Sequence, residues 1–278
     1  MNLGVFLLTF ALAAAPGQEG RLEVSGVRAT YGELGATRPD WKIPLGEALH
    51  VAFDISGLTT DPSGHVRYRT VLEVENSRGE KIFRPEPIES SLLNIQGGGK
   101  VRDSVVVLTG VEQTPGSYRL KLTVTDLQPR KDSPREASAT QDFALVPQEF
   151  GLVRFQLSYD RLGQMPAPPA GGAGQTLFVN AAAVGFKRDA QSNQGGIQVE
   201  MSVLDSSDRP MTPKPALVQA KGIPAGLDVI PVRFDLPLMR GGTYRLVFKS
   251  TDLVSKKSTS FSVPLIVTDF AGAQGSTR

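Results

Sequence analysis

One short segment occurs twice in this chain of 278 residues. Residues 116–120 read Gly-Ser-Tyr-Arg-Leu and lead to Thr-Asp-Leu at 125–127. Residues 242–246 read Gly-Thr-Tyr-Arg-Leu and lead to Thr-Asp-Leu at 251–253. The two tyrosines are 126 residues apart, and so are the two aspartates. A constant spacing over so long a separation indicates two copies of one domain.

The agreement extends upstream of these segments with nearly the same spacing. Residues 46–51 (Gly-Glu-Ala-Leu-His-Val) match 174–179 (Gly-Gln-Thr-Leu-Phe-Val) at a separation of 128 residues. The Pro-x-Pro at 85–87 matches the Pro-x-Pro at 213–215 at the same 128. We therefore expect the two copies to have the same fold, strand for strand.

Apolar and polar residues alternate along most of the chain, for example at 48–55, 118–124 and 244–248. Successive side chains of a strand point to opposite faces, so the pattern predicts antiparallel sheets with one buried face. About seven such runs in each copy, separated by turn sequences, predict an all-β protein of two tandem immunoglobulin-like sandwiches. The predicted strands are near 22–29, 48–56, 66–76, 80–85, 101–110, 117–126, 137–146, 152–160, 175–186, 196–205, 210–218, 226–236, 243–252 and 258–268.

The two predicted sandwiches span 21–147 and 150–270, and the short linker between them predicts a restricted relative orientation. Residues 165–174 are rich in Pro, Gly and Ala and predict a flexible loop on the second sandwich. Residues 271–278 are small and polar and predict a disordered tail.

The N-terminus carries an apolar run at 5–15 that ends in small residues. This pattern is typical of a secretory signal peptide with a cleavage site near 13–15, although no Lys or Arg precedes the run. The run is shorter than the roughly 20 residues that span a bilayer. An uncleaved anchor and a buried strand are the alternatives. We predict a signal peptide at 1–15, export to the periplasm or beyond, and no transmembrane segment in the mature chain.

Composition narrows the class of protein. The chain has no cysteine, which excludes disulfides, cysteine nucleophiles and Cys-ligated metals and suits a bacterial envelope. Residues 21–149 carry 16 Lys and Arg against 18 Asp and Glu, while 150–278 carry 14 against 9. Neither half has a dense basic cluster, so the sequence predicts no nucleic-acid partner.

The repeated residues are candidates for structural roles. Tyr118 and Tyr244 each stand at the start of a penultimate strand, the position of a tyrosine corner, whose hydroxyl bonds the backbone upstream. An ordinary half-buried strand aromatic is the alternative. Asp126 and Asp252 follow these strands and are good hairpin-turn residues, because a short carboxylate caps local N–H groups. Calcium ligation needs several converging oxygen ligands, and no Asp-x-Asp pattern lies nearby.

Catalytic patterns are missing from the sequence. His50 falls on the polar face of a predicted strand, His65 stands in a turn, and neither has a second histidine at metal-binding spacing. The glycine-rich stretch 97–100 lacks Walker spacing and predicts a plain loop. Glu73 and Glu75 alternate with apolar residues, which predicts a charged outer sheet face. The sequence predicts no enzyme, no cofactor and no metal site.

The segments 115–126 and 241–252 resemble the Ig-like β-sandwich modules of exported bacterial envelope proteins. Such modules include those found behind von Willebrand A-type domains. The shared pattern is Pro-Gly-x-Tyr-x-Leu, a strand, an Asp, a hairpin and a closing strand, and it covers mainly the last three strands of each copy. The resemblance implies an accessory or adhesive module without catalytic residues. The metal-binding Asp-x-Ser-x-Ser of A-type domains is missing, so that activity is not implied.

These observations predict an interaction or scaffolding protein that acts through protein–protein contacts at the envelope. Carbohydrate binding is the alternative, because Trp41, the single tryptophan, could stack on a sugar or could plug the sandwich end. Pro231 and Pro264 fall within predicted strands of the second copy, and proline is tolerated mainly at edges. In the first copy, the position that matches Pro231 at the tyrosine spacing is Val105, and the predicted strand 137–146 contains no proline. We expect a strand-adding partner to engage the first copy.

Overall fold

The computed structural model describes residues 21–94, 100–110, 112–128 and 135–269. The predicted signal segment, the glycines at 97–99 and the predicted tail therefore lie outside the described residues. All regular secondary structure in the described ranges is β-strand, which confirms the all-β prediction. No helix in these ranges is long and apolar enough to span a bilayer.

The first half of the chain contains two sheets. One sheet has the strand order β1-β3-β7, and the other has the order β2-β9-β8-β4-β5 with β6 also paired to β4. All pairings are antiparallel except that of β2 with β9. The strands are β1 (Glu23–Thr30), β2 (Lys42–Pro44), β3 (Ala48–Ser56), β4 (His65–Asn76), β5 (Lys81–Phe83), β6 (Ile88–Leu93), β7 (Lys100–Leu108), β8 (Gly116–Asp126) and β9 (Glu136–Val146).

The second half repeats this arrangement. Its sheets have the orders β11-β10-β13-β16 and β12-β18-β17-β14-β15, and β12 pairs with β18 in parallel as β2 does with β9. The strands are β10 (Gly151–Ser158), β11 (Pro166–Ala167), β12 (Ala170–Gly172), β13 (Thr176–Val184), β14 (Gly195–Asp205), β15 (Ala216–Ile223), β16 (Ile230–Pro237), β17 (Gly242–Asp252) and β18 (Ser258–Thr268).

Each half has its own large hydrophobic cluster, to which both of its sheets contribute. The period-two pattern explains this, because every second side chain of the central strands points inward. Full burial of one large apolar side chain stabilises the fold by about 1.5–3 kcal/mol. The largest fully buried side chains of the first cluster are Phe53, Tyr68, Ile43, Leu49, Ile55, Leu120 and Leu122. Those of the second are Phe248, Leu177, Ile197, Leu246 and Leu265.

The repeated tyrosines hold equivalent positions in the two halves. Tyr118 of β8 pairs with Asn76 of β4, and Tyr244 of β17 pairs with Asp205 of β14. Each of these two strands also pairs with the last strand of its half. The duplicated sequence segments therefore occupy the same place in two sheets of the same order.

Four parts of the fold differ from the predicted strands. Residues 165–174 are not a loop throughout, because β11 pairs with β10 and β12 pairs with β18. These strands have two and three residues, too few to show a sequence period. The strand predicted at 210–218 is β15, shifted to Ala216–Ile223 past Pro213 and Pro215. Two further strands were not predicted: β2, which has only three residues, and β6, whose residues are mostly exposed and therefore lack an apolar period.

Candidate functional site

Each repeated tyrosine bonds the backbone four residues upstream. The Tyr118 hydroxyl donates a 2.6 Å hydrogen bond to the Thr114 carbonyl. The Tyr244 hydroxyl donates a 3.0 Å bond to the Arg240 carbonyl. Both tyrosine residues are 9% exposed. Gly242 has φ 154°, and a Cβ there would lie 3.0 Å from the Tyr244 hydroxyl, so a larger residue beside this ring would be strained.

Asp126 is buried and connects two loops. One carboxylate oxygen accepts bonds from the Thr59 N–H (2.9 Å), the Thr59 hydroxyl (2.7 Å) and Arg135 Nη2 (2.6 Å). The other oxygen accepts the Gln128 N–H at 3.1 Å. Thr59 belongs to the β3–β4 loop, so Asp126 ties the β8–β9 hairpin to a loop 67 residues earlier.

Asp252 makes the corresponding contacts in the second half. Its carboxylate accepts the Lys187 N–H at 2.8 Å from the β13–β14 loop, 65 residues away. It also accepts the Val254 N–H at 2.9 Å and the Ser255 hydroxyl at 2.5 Å. The sequence prediction of a local turn role therefore missed the longer-range bond that both aspartates make.

The environment of these carboxylates favours the ionised form. Burial alone would raise the pKa of Asp126, but the bonds from Thr59 and Arg135 outweigh it and lower that pKa. The pKa of Asp252 is likewise lowered, because bonds from Ser255 and Lys187 outweigh burial. In the described part of the chain, no group of three or more Asp, Glu or His could hold a metal ion.

The other titratable candidates lie in structural settings. His65 Nδ1 is 2.9 Å from the Ser63 hydroxyl within the β3–β4 turn. His50 is half-buried on β3, and burial lowers its pKa. Glu73 does not lie on an exposed charged face as predicted: it is 8% exposed, because Lys81 Nζ (2.7 Å) and Arg84 Nε (3.4 Å) from the β5 region cover its carboxylate.

Trp41 is half-buried beside the first core, and its carbonyl accepts the Ala144 N–H at 2.9 Å. It borders an open groove of about 770 Å³. Tyr118 and Phe143 also line this groove but are 9% and 4% exposed. The described residues around Trp41 therefore present no exposed aromatic row of the kind that stacks on a sugar chain.

No strand in the described part of the chain pairs with the outer edge of β7, because β7 is the last strand of its sheet. In an antiparallel ladder, residues bonded to the partner alternate with residues whose N–H and C=O point away. The Thr109 N–H donates to the Glu47 carbonyl at 3.1 Å, which sets this alternation for β7. The residues whose backbone groups point to the free edge are Lys100, Arg102, Ser104, Val106 and Leu108.

The edge of β16 is different. The Leu238 N–H donates to the Gln175 carbonyl at 2.8 Å, so the backbone of Pro231, Arg233, Asp235 and Pro237 points outward. Proline has no N–H, which leaves donors only at Arg233 and Asp235. Prolines thus interrupt the edge in the second half, while each outward residue of β7 carries an N–H.

The register also corrects the alignment of Pro231. β3 matches β13 at a separation of 128 residues, so Ala182 of β13 is the counterpart of Asp54 of β3. Pro231 pairs with Ala182, and Arg102 pairs with Asp54. Pro231 therefore corresponds to Arg102 and not to Val105. The tyrosine spacing was misleading because the loop before β17 is shorter than the loop before β8.

β7 is anchored to the opposite sheet by a hydrogen bond, and the side chains at its C-terminal end are exposed. The Tyr68 hydroxyl, from the opposite sheet, donates to the Asp103 carboxylate at 3.0 Å. Val106 and Leu108 are 42% and 70% exposed. The strand is thus anchored on its inner face and presents apolar side chains at its C-terminal end.

This end of β7 borders the junction of the two halves. The buried Glu47 carboxylate accepts the Arg154 N–H at 2.6 Å and lies 3.6 Å from Arg38. The Tyr31 ring packs on Phe155, with centroids 5.9 Å apart. A cavity of about 350 Å³ lies among these residues and is also lined by Leu108.

No family model and no curated protein sequence matches the chain. Among solved structures, the chain is similar to the C-terminal domain of the antigen I/II-family protein AspA of Streptococcus pyogenes. The identity is 8%, the TM-score is 0.28, and 89% of this chain and 100% of that chain are covered.

Two larger proteins are also similar in part. Dimeric latent PorU of Porphyromonas gingivalis shares 11% identity at a TM-score of 0.39, over 92% of this chain and 21% of that one. Red sea bream transglutaminase shares 12% identity at a TM-score of 0.27, over 90% and 31%. The chain thus spans under a third of either protein, and TM-scores this low carry no argument about function.

We expect Asp126→Asn and Asp252→Asn each to lower the unfolding free energy at pH 7 by about 2–4 kcal/mol, because buried donors lose their charged acceptor. The folded pKa of each aspartate lies below its unfolded value of about 3.9, so its stabilisation is complete above that pH. It disappears as pH falls through the folded pKa. Urea unfolding from pH 7 to pH 2 should therefore show the difference from wild type shrinking in acid.

The matched control for this experiment is Asp235→Asn, which removes an exposed carboxylate that is paired with Arg161. Exposed pairs contribute about 0–1 kcal/mol, so this variant should unfold close to wild type. A loss at Asp126 that stayed constant down to pH 2 would contradict the role of the ionised carboxylate.

Tyr118→Phe and Tyr244→Phe should each cost about 1 kcal/mol, because the upstream carbonyl loses a hydrogen bond while the packing of the ring remains. Thermal unfolding followed by circular dichroism measures this. Tyr159→Phe is the control, since Tyr159 is 46% exposed. Equal melting temperatures for all three variants would show that the two hydroxyl bonds contribute nothing.

Glu47→Ala should loosen the junction, because it leaves the Arg154 N–H and the Arg38 guanidinium without their buried acceptor. We expect a loss of about 1–3 kcal/mol and amide shift changes on both sides of the junction in NMR spectra. The exposed Glu86→Ala is the control. Shift changes confined to the immediate neighbours of residue 47 would argue against coupling between the halves.

Proposed function

We propose that this chain is an exported, non-enzymatic protein of two tandem immunoglobulin-like sandwiches that binds a protein partner by strand addition along β7. The sheet orders and the equivalent places of Tyr118 and Tyr244 support domains at 21–147 and 150–270. The upstream carbonyl bonds of both hydroxyls support their assignment as tyrosine corners. The apolar run at 5–15 supports a signal peptide and export.

The free edge of β7 is the observation that carries this proposal. An exposed edge offers a row of unpaired N–H and C=O groups, to which an extended segment can pair. Outward N–H groups occur at every second residue from Lys100 to Leu108. Natural sheets commonly protect such edges with proline, as β16 does at Pro231 and Pro237.

The side chains along this edge define the chemistry of the partner segment. Lys100 and Arg102 lie at one end of the exposed face, and Val106 and Leu108 lie at the other. Asp54 lies 3.5 Å from Arg102 and offsets part of that charge. A segment with acidic residues at one end and apolar residues at the other would complement this face.

Carbohydrate binding at Trp41 is the second candidate. The groove of about 770 Å³ beside it favours this function, and its polar lining includes Arg78, Arg119 and Asp142. Arg119 and Asp142 already bond each other at 2.7 Å, which reduces the groups free to bind a sugar. The β7 edge is therefore the stronger candidate.

The test transfers the prolines of the second half to the first. Arg102→Pro with Leu108→Pro removes the two outward N–H groups that correspond to Pro231 and Pro237. The second half folds with proline at these positions, so the variant should fold too. Arg102→Ala with Leu108→Ala is the matched control, because it removes the same side chains and keeps the N–H groups.

The full chain and both double variants are used as baits in bacterial envelope extract, with capture quantified by mass spectrometry. We expect the wild type and the alanine control to capture the same partner protein. The amount captured by the proline variant should be lower by about tenfold or more. Hydrogen exchange of the complex should then show protection at 100–108. Equal capture by the proline variant, protection confined to β16, or capture of glycans alone would reject strand addition at β7.

A further inference from the structure

An apolar cleft lies between the two sheets of the second half, at the end that holds Tyr244. Its volume is about 340 Å³, which is within the range of roughly 300–1,000 Å³ typical of small-molecule sites. Its floor consists of core side chains, including Leu236, Leu238 and Leu265. The cleft thus gives access from solvent to the interior of the sandwich.

Two methionines at the mouth of the cleft are exposed to solvent. Met239 is 81% exposed and Met211 is 39% exposed, and both line the cleft. Methionine is flexible and polarisable, so it adapts its shape to a bound apolar group. An exposed apolar patch beside an apolar cleft indicates a surface that is covered when the site is occupied.

The backbone around the mouth offers few hydrogen-bond donors. Pro237 borders the cleft on β16, and its outward backbone nitrogen carries no hydrogen. On the other side, Pro213 and Pro215 precede Ala216, the first residue of β15 and also part of the lining. An extended peptide would gain little main-chain pairing here, which favours a ligand without a peptide backbone.

The charge at the rim determines the polar end of that ligand. Asp235 and Arg240 are the charged residues that line the cleft. Arg161 pairs with Asp235 at 2.7 Å and offsets its charge. No described carboxylate lies within ion-pair distance of Arg240, so its guanidinium remains as an exposed cation beside the apolar mouth. We propose that this cleft binds a single-chain amphiphile, with the alkyl chain in the cleft and an anionic head group at Arg240.

The test titrates full-length protein with hexanoate, octanoate and decanoate below their micelle concentrations. Methyl resonances of Met211 and Met239 report binding in NMR spectra, and Met165, 59% exposed and outside the cleft lining, is the internal control. Burial of each added methylene should tighten binding about fourfold until the cleft is full. Decyltrimethylammonium, with the same chain and the opposite charge, should bind more weakly than decanoate.

Four variants separate the cleft from the general surface. Ala216→Trp fills the cleft and should weaken decanoate binding at least tenfold, whereas Leu217→Trp, on the opposite face of β15, should leave it unchanged. Arg240→Gln should weaken binding about two- to fivefold, as expected for an exposed ion pair. Lys249→Gln on the outer face of β17 should have no effect.

Several results would overturn the proposal. The protein could bind the cationic amphiphile as tightly as decanoate, its affinity could be independent of chain length, or decanoate could bind the Ala216→Trp variant as tightly as the wild type. A short Leu-Phe peptide could also shift the two methionine methyl resonances when decanoate does not. That last result would assign the cleft to an apolar side chain of a protein partner.

Discussion

The backbone of the outermost strands is the constraint on which the architecture and the proposed functions depend. A two-sheet sandwich buries its apolar faces but leaves unpaired N–H and C=O groups along each edge. One sheet of each half ends at β7 or at β16, so each of these two strands has a row of backbone groups without a neighbouring strand. Prolines at 231 and 237 remove donors from β16, while the outward N–H groups of β7 remain.

The two halves share internal hydrogen bonds and differ at their surfaces. Tyr118 and Tyr244 make the same upstream carbonyl bond, and Asp126 and Asp252 tie the last hairpin to a loop from the other sheet. These bonds hold the ends of each half from within. The halves differ at their surfaces, because β7 has an open edge in the first half and an apolar cleft opens in the second.

The buried aspartates show why a charged group can stabilise a sandwich end. Burial alone disfavours the ionised carboxylate, and the net effect depends on the donors around it. Thr59 supplies two donors to Asp126, and Arg135 supplies a countercharge. A serine and the Lys187 amide take these roles at Asp252, without a guanidinium. The same geometry is therefore reached with different side chains, which explains why sequence matching detects the aspartates and not their partners.

The sequence by itself determined the all-β class, most strand positions and the two repeated segments, because period-two burial and local turn chemistry are encoded within a few residues. The short strands β11 and β12 have no such period, and only their pairing with β10 and β18 defines them. The tertiary structure alone decided that Pro231 corresponds to Arg102, which backbone groups of β7 point outward, and how deeply Glu73 is covered. These features depend on strand register and on contacts between residues far apart in the chain, which no local pattern encodes.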